Sequence, residues 1–158
     1  MTVKIKTATI KNLGDVQRLN LMLFEKEFKE YDKTLNCKWT LSERGKEYFT
    51  KQITDKSCCA FVAYADNNIV GYLVGGVREK SRTARILPKF AELKNMYIIN
   101  EYRNLGIGTK LFKSFLKWCK LKKVKRMQVV ASAQNLKAIK FYRKNGFKDY
   151  DLVLETDI

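Results

Sequence analysis

A chain of 158 residues, 46% of them apolar, is long enough to bury one core, and no stretch approaches the ~20 apolar residues of a membrane span. Histidine is absent and the four cysteines (Cys37, Cys58, Cys59, Cys119) form no Cys-x-x-Cys pair. This excludes the usual zinc ligand sets and every Ser-His or Cys-His nucleophile, so no metal is expected.

In chain order, Val3-Lys4-Ile5-Lys6 alternates as a first strand and carries no apolar core of a secretory signal, so a cytoplasmic protein without membrane partners is expected. Asn12 or Asp15 caps a helix to about Glu30, with Val16, Leu19, Leu23 and Phe24 on one face. After a polar connection from Tyr31 to Lys38, Thr40 or Ser42 opens a second helix through about Ile53. Cys59 to Tyr64 reads as a strand, Asp66-Asn67-Asn68 as a turn, and Ile69 to Val77 as the partner strand of a hairpin. A basic connection from Lys80 to Lys89 leads to a strand from Phe90 to Ile99.

Ile107, Leu111, Phe112, Phe115, Leu116 and Cys119 recur at helical spacing. Met127, Val129 and Ala131 alternate as a strand, Asn135 to Lys144 is a helix stopped by Asn145-Gly146, and Phe147 to Leu154 is expected to return as a closing strand. No repeat or linker interrupts this order. Residues 1–158 read as one mixed α/β domain.

A strand followed by Arg103-x-x-Gly106-x-Gly108 and a helix is a device for holding phosphate. Glycine lets the backbone approach closely, first-turn amides point outward, and the helix dipole favours an anion. Arg103 adds a guanidinium able to take phosphate oxygens in a fork. Two alternatives fail on spacing. The dinucleotide fingerprint needs glycine where Leu111 stands, and a Walker loop needs Gly-Lys-Ser/Thr where Gly108 is followed by Thr109-Lys110.

The run from Met96 through Asn100-Glu101-Tyr102-Arg103-Asn104-Leu105-Gly106-Ile107-Gly108-Thr109 to Leu111 resembles motif A of the GNAT superfamily of N-acetyltransferases. Downstream, Asn135-x-x-Ala138-x-x-Phe141-Tyr142-x-x-x-Gly146-Phe147 resembles motif B. The family's usual proline is Asn100 here, and its usual glycine after the arginine is Asn104. The resemblance covers essentially the whole chain. It implies a mixed, mostly antiparallel sheet flanked by helices, with a splayed central strand pair.

It also implies acetyl-CoA as co-substrate and an amine as acceptor, attacked directly without an acyl-enzyme. Backbone groups of Met96, Tyr97 and Ile98 would pair with the pantetheine arm. Amides of Arg103, Asn104, Leu105, Gly106, Ile107, Gly108 and Thr109 would hold the pyrophosphate, and Asn135 would support the cofactor from the other side. Tyr142 stands where the family places its general acid. Glu92, eleven residues before Arg103, is the candidate base, with ordered water as the alternative; in a regular strand Glu92, Lys94 and Met96 share one face.

Acceptor identity is open, with a peptide or protein amine ahead of a small molecule. The acidic cluster Glu25, Glu27, Glu30 and Asp32 suits a cationic amine but also an exposed helix face. The competing readings are an acetyl-CoA sensor and a basic nucleic-acid- or ribosome-associated protein, and a homodimer is among the expected assemblies. The net charge of +16 is densest from Lys117 to Arg126; with lysines throughout the chain, solvent decoration is the plainer reading.

Overall fold

A computed structural model describes residues 1–78 and 88–158. Strands β1 (Val3–Thr7), β2 (Cys58–Ala65), β3 (Asn68–Arg78), β4 (Phe90–Ile98) and β5 (Arg126–Val129) form one sheet in that order. All pairs are antiparallel except β4 with β5. Helices α1 (Leu13–Glu30), α2 (Glu43–Thr54), α3 (Ile107–Leu121) and α4 (Leu136–Lys144) cover the sheet. No helix among the described residues is long and apolar enough to cross a membrane. Most of the Lys80–Lys89 connection lies outside the described residues.

Alternation along β2 separates two cores. Ala60 and Val62 meet Val16, Leu19 and Leu23 of α1 and Phe49 of α2, together with Tyr72, Val74 and Tyr97. Cys59, Phe61 and Ala63 meet Leu111, Phe112, Phe115 and Cys119 of α3 on the other face. The sheet is thus buried on both sides, which is why β2 and β3 read as nearly continuous apolar runs. Ser42 caps α2, accepting from the Gly45 amide at 3.2 Å.

Two features of β4 position everything that follows. Gly75 pairs with Leu93 while Val74 pairs with Asn95, so Lys94 is an extra residue in a β-bulge. A Cβ on Gly75 would stand 2.6 Å from Phe115 Cε2 and 2.8 Å from the Glu92 carbonyl oxygen, so glycine here admits α3 onto the bulged strand. Second, β5 pairs with β4 only from Phe90 to Leu93. From Asn95 to Ile98 that edge of β4 has no strand partner among the described residues, which is the splay the resemblance implied.

Three local expectations are corrected. The bulge reverses the side-chain alternation, so Glu92 and Lys94 do not share a face with Met96. Met96 packs with the α3 core, whereas Lys94 reaches α2, its Nζ donating to Gln52 Oε1 at 3.0 Å. β5 ends at Val129, short of Ala131. Residues from Phe147 to Leu154 form no strand, and Leu152, Val153 and Leu154 are at least 74% exposed. Apolar alternation makes a strand only where a partner takes its hydrogen bonds. Here Asp149 is instead held by Arg143 at 2.6 and 3.0 Å.

Candidate active site

The glycine loop links the end of β4 to the start of α3. Asn104 adopts φ +62° and Gly106 φ +77°, two left-handed residues that swing the chain into the helix. Asparagine tolerates that conformation better than other side-chain-bearing residues, which explains why Asn104 can replace the family's glycine. The amides of Ile107, Gly108 and Thr109 occupy the first turn and have no intrahelical acceptor. Lys110 is the first to find one, donating to the Gly106 carbonyl at 3.1 Å. Ile107 is buried as the anchor, and Leu105 is exposed.

Gly108 faces inward. A Cβ there would meet Ile98 Cδ1 at 3.3 Å and Phe141 Cε2 at 3.6 Å. The loop, the unpaired end of β4 and α4 therefore converge at the mouth of the splay. Met96 and Ile98 pack toward α3, while Tyr97 lies on the opposite face beneath Arg103. The Arg103 guanidinium sits 5.1 Å from the Tyr97 ring centroid. Its Nε donates to the Ile98 carbonyl at 2.9 Å and its Nη1 to Asn100 Oδ1 at 3.3 Å. Two of the five guanidinium donors are thus engaged on the chain itself.

Asn135 is the N-cap of α4, its Oδ1 accepting from the Ala138 amide at 3.1 Å. Its Nδ2 makes no hydrogen bond among the described residues. About two turns further along the same face, the Tyr142 ring packs edge-on against Phe141 (5.4 Å) and Phe147 (5.6 Å). Burial, with a smaller contribution from the Glu27 charge, pushes its phenol up to about 12. Tyr142 is therefore a protonated donor at neutral pH.

Glu92 stands apart from Tyr142's loop end, in the paired portion of β4. Its carboxylate forms an ion pair with Arg78 at 3.3 Å, and its side chain is 19% exposed. It also helps burial push the Tyr48 phenol up to about 12. Burial likewise pushes the Cys119 thiol up to about 12 and raises that of Cys59, so neither supplies a thiolate nucleophile at neutral pH.

Sequence reading missed the weight of Glu27. It was one of four acids on a helix end, yet the helical turn puts it in the inward arc of Val16, Asn20 and Leu23. Asn20 is buried there, its Nδ2 donating to the Tyr72 hydroxyl at 2.8 Å and its Oδ1 accepting from Thr40 at 2.7 Å. Tyr72 pairs in register with Tyr97 on the splayed part of β4. Burial raises the Glu27 carboxyl, with Lys26 opposing, and its charge in turn raises the phenols of both Tyr72 and Tyr142. Periodicity could have singled it out, because Glu27 follows Leu23 by four residues and Asn20 by seven.

The family model for the acetyltransferase (GNAT) family matches residues 18–147. The chain is 27% identical over 106 residues to an N-alpha-acetyltransferase of Sulfurisphaera tokodaii, the match covering 65% of this chain and 64% of that protein. It is 26% identical over 105 residues to one from Saccharolobus solfataricus, covering 64% and 63%. The chain thus matches just under two thirds of the length of these relatives. In fold it is similar to a mutant of the Bacillus halodurans protein BH1408, with TM-score 0.80 and 19% identity over 98% of this chain and 99% of that one. An aminoglycoside 6'-N-acetyltransferase of Acinetobacter baumannii gives TM-score 0.75 and 17% identity over 99% and 98%. The family match spans both the glycine loop and the Tyr142 helix, and the chain belongs to the acetyltransferase (GNAT) family.

Proposed function

We propose that this chain transfers the acetyl group of acetyl-CoA to a primary amine by direct attack. The observation that carries the reading is the convergence of three features at one mouth: the first-turn amides of α3, the unpaired edge of β4 and the helix α4 that carries Tyr142. Ile107, Gly108 and Thr109 would hold the pyrophosphate through their amides. Met96, Tyr97 and Ile98 would offer backbone partners to the pantetheine arm, and Asn135 Nδ2 would support it from the α4 side. When bound, acetyl-CoA supplies an activated thioester carbonyl.

Tyr142 presents its O–H to the departing sulfur. Glu27 receives the acceptor as an ammonium on the α1 side of the splay, since a buried carboxylate gains most from a cation. The Arg78 partner of Glu92 supports water as the group that takes the amine proton, with Glu92 ordering the polar surroundings. A peptide or protein amine is the favoured acceptor. The proteins named N-alpha-acetyltransferase match in sequence, whereas the aminoglycoside enzymes match at 14–22% identity, which speaks to fold.

The test is release of free CoA from acetyl-CoA with a panel of peptides bearing free N-termini, lysine peptides, polyamines and aminoglycosides. Turnover with peptides above the other amines supports the reading. Acetyl-CoA binding without turnover on any amine would leave a sensor and refute it.

A further inference from the structure

The charge of this protein is divided far less evenly than its lysines suggest. From Tyr102 to Lys148 there is no aspartate or glutamate, while 14 lysines and arginines occur there; the rest of the chain has 18 cations against 16 acids. An even spread of acids would put about five in that stretch. Nearly all of the +16 net charge therefore belongs to the α3–β5–α4 half.

The fold turns part of this excess into a stripe. Lys110, Lys113, Lys117 and Lys120 follow one another at three- and four-residue steps on the face of α3 opposite Leu111, Phe112, Phe115 and Cys119, and all four are exposed. Lys123 and Lys125 continue it beyond the helix end, and Arg126 opens β5 with its guanidinium 4.5 Å from the Tyr150 ring centroid. Among the described residues none of Lys113, Lys117 and Lys120 is in an ion pair. At ~1.5 Å per residue, Lys120 lies about 20 Å along α3 from the amides that would hold a pyrophosphate, too far to serve them.

We infer that the exposed lysine face of α3, continued by the turn to Arg126, is a docking surface for the phosphate backbone of a nucleic acid. The residue types suit phosphate rather than bases. Lysine is a point charge without the planar fork that reads base edges, so contact would be independent of sequence. A lipid surface fits poorly, because the apolar side of α3 is consumed by the core and Leu121 is the exposed apolar residue at the stripe's end. An acidic protein fits poorly too, since lysine is depleted at the centres of protein interfaces.

The test is fluorescence anisotropy of a labelled nucleic-acid duplex of about 20 base pairs, titrated between about 50 and 200 mM salt. Replacing Lys113, Lys117 and Lys120 together by Gln should weaken binding at least about tenfold at low salt and reduce the slope of log K against log salt by about 2 to 3. The control triple Lys11→Gln, Lys38→Gln and Lys46→Gln removes the same charge elsewhere and should leave the slope intact. Equal weakening in both triples would show bulk charge alone and overturn the surface. Tighter binding to phosphatidylserine vesicles than to the duplex would overturn the choice of partner. Loss of CoA-releasing turnover on a small amine in the first triple would place these lysines in the cofactor site and also overturn it.

Discussion

Replacing Tyr142 by Phe removes one hydroxyl and keeps the ring between Phe141 and Phe147. The size of the effect follows from the shifted phenol. A thiol such as that of CoA has a pKa near ~8.5, whereas Tyr142 stands at about 12. Complete proton transfer to the leaving sulfur would run uphill by about 3 to 4 pKa units, or roughly 5 kcal/mol. On the proposed reaction the phenol would therefore act as a hydrogen-bond donor to a developing thiolate. A bond to a charged group contributes about 1.5–3 kcal/mol, so kcat should fall about 10- to 150-fold, and acetyl-CoA affinity should stay within about twofold. The donor form persists at every pH below about 12, so wild type should show no falling limb between neutral pH and pH ~10 from this group. The assay is CoA release at saturating amine, with calorimetry for acetyl-CoA. A kcat unchanged in the variant, with chemistry shown to limit turnover by single-turnover rates, would refute the donor role.

Glu27→Gln should raise KM for a cationic acceptor at least about tenfold, a cost in the range of a charge-assisted hydrogen bond. The same variant should melt higher than wild type at neutral pH. The Glu27 carboxyl is raised in the fold, so wild-type stability falls as pH climbs from the unfolded value near ~4.3 through the folded value; the gain should vanish below about pH 4. Thermal melts at both pH values check the sign. Gly75→Ala drives a methyl against the Phe115 ring and the Glu92 carbonyl, of which the backbone oxygen cannot yield. Overpacking of this kind costs about 1–3 kcal/mol, or roughly 2–12 °C in Tm. Gly106→Val should cost about 1–3 kcal/mol through its left-handed φ and lose acetyl-CoA affinity in calorimetry, while far-UV circular dichroism keeps the native spectrum.

The parts of the site that were legible in sequence are those made by local geometry. Arg103-x-x-Gly106-x-Gly108 reports a left-handed turn into a helix, and its first-turn amides are free because no residue stands four places earlier in the helix to accept them. Tyr142 could be placed on α4 about two turns after Asn135, and β2 and β3 were legible as apolar runs bounded by a turn.

What only the tertiary structure decided depends on pairing across the sheet. The bulge at Lys94, opposite the Gly75 against which Phe115 packs, moves Glu92 off the Met96 face, which no alternation within β4 reveals. Arg103 reaches the Ile98 carbonyl and the Tyr97 ring only after β4 and the loop have folded. Glu27 comes close enough to raise the Tyr72 and Tyr142 phenols only once α1 has packed on the sheet. Phe147 to Leu154 forms no strand although its pattern matches one. By itself, the chain determined the left-handed turn into α3 with its free first-turn amides and the place of Tyr142 on α4, since spacing along a helix or turn is a property of the backbone. Which carboxylate lies near the Tyr72 and Tyr142 phenols was decided by the fold, since side chains distant in sequence meet only after the helices have packed on the sheet.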